Sequence, residues 1–66
     1  MLKEFTLEQF DSHNTSFNRP IMKRDFLSAC NRGKEISKKV FYPVIIHSDC
    51  GQWAKFENGE KTEWSI

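Results

Sequence analysis

The sequence predicts an α+β fold in which two N-terminal helices pack on one face of a three-stranded antiparallel β-meander. Three observations lead there. From Lys39 to Ile66, apolar residues recur at strand spacing and are broken by two turn signals, Asp49-Cys50-Gly51 and Asn58-Gly59. Residues 19–32 place Met22, Phe26, Ala29 and Cys30 on one side of a helix. Near the N-terminus, Thr6 and Gln9 stand at capping-box spacing, with Phe5 and Phe10 at the spacing of a hydrophobic staple.

Those last four residues predict a first helix over about 7–13. It is only two turns long and cannot persist without docking on the rest of the chain. The polar segment from Ser12 to Ser16 reads as a loop. A second helix is expected over about 19–32, with Pro20 in its first turn, where the missing donor costs nothing. Gly33 follows Asn31-Arg32 as a left-handed cap, and a linker runs from Lys34 to Lys38.

The first strand is expected over about 39–47, and Pro43 inside it marks an edge or a bulge. The second covers about 52–57 and the third about 61–66. A three-residue loop, Asp49-Cys50-Gly51, pairs Ile46 with Ala54 and Val44 with Phe56 on one face. At the second turn, Asn58-Gly59 alone sets a two-residue turn that pairs Glu57 with Glu60 and puts Lys61 and Glu63 beside Phe56. A three-residue loop, Glu57-Asn58-Gly59, slips the register by one and turns Thr62, Trp64 and Ile66 inward. Burial of Trp64 and Ile66, together worth several kcal/mol by the transfer scale (~1.5–3 kcal/mol for a large apolar side chain), favours the three-residue loop.

Sixty-six residues form one domain, short enough to bury only about 60% of the unfolded surface. That leaves little room for a core and a deep pocket together, and it weighs against an enzyme. No apolar run approaches the roughly 20 residues of a membrane span, and the charged N-terminus is unlike a signal peptide. A cytoplasmic protein with reduced Cys30 and Cys50 is expected.

The net charge of +1 hides an uneven distribution. Residues 1–18 and 40–66 each carry −2, while residues 19–39 carry +5.

Two surfaces are candidates for function. The outer sheet face carries Ile45, His47, Trp53 and Lys55, with Phe41 as an outlying member, and meets solvent unless a partner covers it. Trp is enriched at interface hot spots. The plainer reading is that a helix crosses that face or its side chains shield one another. The second candidate is basic: Arg19, Lys23, Arg24 and Arg32 on the second helix, then Lys34, Lys38 and Lys39. Those side chains suit phosphates, and helix plus hairpin loosely resembles helix-and-wing DNA binders. A solvated charged face is the commoner explanation, and the whole chain is nearly neutral.

Chemistry of other kinds finds little support. His47 and Cys50 fall short of the four ligands, at paired spacings, of a structural zinc site. His47, Asp49 and Cys50 carry the groups of a thiol enzyme without a pocket or oxyanion hole around them. No cofactor motif is present. The expectation is a small non-enzymatic protein that occupies the surface of a larger one, of the sort that phage accessory and inhibitor proteins exemplify. Self-association is equally allowed, strand addition at an edge is a second mode, and nucleic-acid binding is the alternative.

Overall fold

Residues 4–8 alternate, with Phe5 and Leu7 on one side and Glu4, Thr6 and Glu8 on the other, and the segment 3–10 forms a strand. In the computed structural model, which describes residues 1–65, this is β1 (Lys3–Phe10). It turns into β2 (Ser16–Lys23) through a loop organised by Asp11. The Asp11 carboxylate accepts from His13 N at 2.9 Å and Thr15 N at 3.0 Å, and Asn14 adopts φ 60°. An acidic side chain bonding the backbone two and four residues on is a local turn device. The order continues through α1 (Phe26–Val40), β3 (Val44–His47), β4 (Trp53–Glu57) and β5 (Glu60–Trp64).

All neighbouring strands are antiparallel, in the order β2-β1-β3-β4-β5. Helix α1 lies across one face of the sheet, mainly over β3 and β4. Its start is set by Asp25, whose carboxylate accepts from Ser28 N at 2.9 Å, satisfying a donor the first turn leaves free. It ends at Phe41 in the left-handed conformation (φ 61°), after Lys38 and Lys39, which complement the carboxyl end of the helix dipole.

The core is a single cluster between helix and sheet: Phe5, Leu7, Ala29, Ile36, Val44, Ile46, Ala54 and Phe56. Ala29, Gly33, Ile36 and Val40 recur at helical spacing along the inner side of α1. Gly33 lets the helix backbone approach the sheet, since a Cβ there would stand 2.7 Å from Ile46 Cγ1. Phe26 packs on Phe5 with ring centroids 6.1 Å apart. Each fully buried Leu, Ile or Val contributes roughly 1.5–3 kcal/mol, so this cluster carries most of the stability.

The expected fold class is therefore corrected: one helix and five antiparallel strands, not two helices on a three-stranded meander. The helix expected at 7–13 is mostly the end of a strand, because the alternation of Phe5 and Leu7 buries two large side chains against α1. The helix expected at 19–32 begins only at Phe26. Its first part is edge strand β2, where Pro20 sits opposite Thr6 at a position that tolerates a missing donor. Gly33 is an interior helical residue rather than a cap, and residues 39–40, expected in a strand, finish the helix. Pro43 precedes β3, where its carbonyl accepts from Phe10 N at 3.1 Å.

The β3–β4 hairpin has the expected register, with Val44 opposite Phe56 and Ile46 opposite Ala54, and Gly51 at φ 92°. At the β4–β5 turn, the expected three-residue loop is wrong. Asn58 (φ 54°) and Gly59 (φ 84°) form the two-residue turn, with Glu57 opposite Glu60 and Lys61 opposite Phe56. A β-bulge then shifts the register, so that Lys55 faces Glu63 and Trp64 faces Ala54. Turn chemistry fixes one end of the hairpin and the bulge corrects the other. Trp64 reaches the helix side as expected, yet it remains 55% exposed. Thr62, expected inward, is skipped by the pairing at the bulge and is exposed. Ile66, expected to join the core, lies outside the described residues.

Candidate functional site

Pairing and alternation fix the contents of the sheet face opposite α1. From β1 it receives Glu4, Thr6, Glu8 and Phe10; from β3, Ile45 and His47; from β4, Trp53, Lys55 and Glu57. From β5 it receives Glu60 and Glu63. Among the described residues, no helix or strand covers this face.

Ile45, His47, Trp53 and Lys55 thus share one uncovered surface, and all four are half-buried. Phe41 is not part of it, since it caps α1 and is exposed there. Side chains on this face do shield one another. His47 Nε2 lies 2.9 Å from Glu8 Oε1, and Ser16 Oγ donates to Glu8 Oε2 at 2.7 Å. Lys55 Nζ lies 3.4 Å from Glu63 and 4.0 Å from Glu57. Ile45, between Glu8 and Lys55 in the cross-strand row, is flanked by both clusters.

The Ser16 hydroxyl, and after it His47, holds the Glu8 carboxyl below its ordinary value. Trp53 is fixed at one corner by its backbone, which donates to Ser65 Oγ at 2.9 Å and accepts from Ser65 N at 2.9 Å.

The charge of this face is one-sided. Glu4, Glu8, Glu57, Glu60 and Glu63 stand on it against Lys55 alone. The helix side is the reverse. Lys3, Arg19, Lys23 and Lys61 occupy sheet positions on that side, and Arg32, Lys34, Lys38 and Lys39 lie on α1, eight of the ten Lys and Arg in the chain.

The basic stripe expected on one helix is consequently divided. Arg19 and Lys23 belong to β2, Arg24 to the connection before α1, and only the last four to the helix. Within the helix, Lys34 and Lys38 lean toward β4 and β5, where Lys38 lies against Gly59. Arg32 and Lys39, one heptad apart, share the other flank.

A helix over 7–13 hides Glu8 from this face and leaves Glu4 ahead of it, outside any strand. The alternation Glu4, Thr6, Glu8 against Phe5, Leu7 is the signal that locates them.

His47 is engaged with Glu8 rather than with the thiol of Cys50. Cys50 is exposed at the β3–β4 hairpin tip, 3.1 Å from Ser48 Oγ, whose hydrogen bond draws the thiol below its ordinary range. Among the described residues, no three His, Cys, Asp or Glu side chains are grouped so as to hold a metal ion, and no helix is long and apolar enough to cross a membrane. No family model, curated protein or solved structure matches this chain.

Proposed function

We propose that this is a non-enzymatic binding protein that acts by occupying the surface of a larger protein, and that it does so through the outer sheet face. The observation that carries the reading is a face left uncovered by the fold, with Trp53 at its corner and five carboxylates against one lysine. Five strands at about 4.8 Å spacing make it some 20–25 Å wide, suited to an interface of about 800 Å² per partner. Its charge calls for a basic partner surface, since complementary charge steers encounter and fixes register. Trp53 is the anchor, Ile45 the apolar support, and His47 and Lys55 the polar rim.

A second reading places a polyanion such as nucleic acid on the helix side. It is favoured by the eight basic residues there, together with Phe17 and Trp64, 53% and 55% exposed, which offer rings for base stacking. Capture of partners from native lysate, with and without nuclease, separates the two. A protein catch that survives nuclease and is lost in Trp53→Ala supports the outer face. A catch that vanishes with nuclease and depends on Arg32 and Lys39 moves the function to the helix side.

A further inference from the structure

Because α1 lies mainly over β3 and β4, it covers the inner side of β5 only in part, and a cleft of about 310 Å³ opens between the first turns of the helix and that strand. Its floor is Ala54 and Phe56, and its walls are Phe26 and Trp64. Two cations, Lys34 from the helix and Lys61 from β5, stand on its lining, and among the described residues no Asp or Glu does. Lys61 Nζ lies 4.7 Å from the centroid of the Trp64 ring, so cation and apolar wall form one unit.

We propose that this cleft binds a small amphiphilic anion, an apolar chain carrying one carboxylate. An apolar cavity with a few convergent polar groups is the usual form of a small-molecule site, and its size sits at the lower end of the roughly 300–1,000 Å³ such sites span. At about 30 Å³ per water-sized group, it has room for about ten non-hydrogen atoms. The apolar chain covers Trp64, which otherwise borders water, and the carboxylate takes a charge-assisted hydrogen bond from Lys61 or Lys34. A cationic or dianionic ligand fits worse, the first for charge and the second for the cost of burying a second charge.

The chain carries its own reporters. Cys30 lines the cleft, with its thiol pushed up by burial, whereas Cys50 sits outside it at a hairpin tip. Alkylation of the intact protein by iodoacetamide, followed at each cysteine by peptide mass spectrometry, measures occupancy at Cys30 with Cys50 as internal control. The probes are octanoate, octanol and octylamine.

Octanoate is expected to slow Cys30 several-fold at saturation and to leave Cys50 unchanged. Lys61→Gln with Lys34→Gln is expected to weaken octanoate about tenfold, the loss of one charge-assisted contact, without affecting octanol. Both lysines are exposed or flank an open cleft, and circular dichroism verifies that the double variant is folded. Three results overturn the proposal: no protection of Cys30 at several millimolar octanoate, equal slowing of both cysteines, or octanol and octylamine protecting as well as octanoate.

Discussion

Ser37 Oγ accepts a hydrogen bond from Gly59 N at 2.8 Å, joining the last turn of the helix to the turn between the last two strands. Ser37 is fully buried, and its hydroxyl donates in turn to Lys34 O at 2.9 Å. Ser37→Ala leaves the Gly59 N–H buried without a partner. The expected loss is about 1–3 kcal/mol, read from urea unfolding and as a drop of roughly 4–8 °C in Tm per kcal/mol for a domain of this size.

Gly33 and Ile46 make a second coupling between the layers. Gly33→Ala raises intrinsic helix propensity by about 1 kcal/mol, but its Cβ would stand 2.7 Å from Ile46 Cγ1 and 3.0 Å from Cδ1. Overpacking of this kind costs about 1–3 kcal/mol, so the variant is expected to be less stable than the parent. In an Ile46→Ala background both Ile46 contacts are gone, leaving Phe56 Cδ2 at 3.3 Å free to shift into the vacated space, and Gly33→Ala should turn stabilising. A double-mutant cycle by denaturant unfolding measures that change of sign.

Glu8 gives the outer face an acid limb. Its carboxyl is held below the ordinary value of 4.5, first by Ser16 and then by His47. A depressed folded value means the unfolded state takes up the proton first as pH falls. The contribution is complete above pH 4.5 and is lost as pH falls through the lower folded value. Glu8→Gln should therefore be less stable at neutral pH and flatter below about pH 4.5 in a pH series of unfolding curves. The effect is small, because the pair is partly exposed and screened.

Trp53→Ala is expected to weaken partner binding by about 2 kcal/mol, the threshold of an aromatic hot spot, while far-ultraviolet circular dichroism stays unchanged. Glu63→Lys should weaken the same complex mostly through the association rate, with an effect that shrinks as salt rises.

The β3–β4 hairpin was legible because its signals agree, whereas residues 34–40, expected as linker and strand, complete α1. Val44, Ile46, Ala54 and Phe56 alternate, and Asp49-Cys50-Gly51 sets the loop, so Ile45, His47, Trp53 and Lys55 fell onto one face by register alone. At Asn58-Gly59 the signals conflict, and the bulge lets both the favoured turn and the inward Trp64 stand.

In the first half, Thr6, Gln9, Phe5 and Phe10 fit a helix start as well as a strand, and only pairing with β2 and β3 decides between them. Pro20 is compatible with both a first helical turn and an edge strand. Gly33 reads as a stop until Ile46 is found against it, and the run Ala29, Gly33, Ile36, Val40 is the pattern that carries the helix onward.

The two tryptophans stand on opposite faces of the sheet, Trp53 on the outer face and Trp64 on the helix side. Hydroxyl-radical oxidation of the protein, free and in its captured complex, compares them within one molecule by peptide mass spectrometry. Binding through the outer face predicts that the complex protects Trp53 and leaves Trp64 as reactive as in the free protein. Protection of Trp64 with Trp53 unchanged would contradict the assignment and place the interface on the basic helix side.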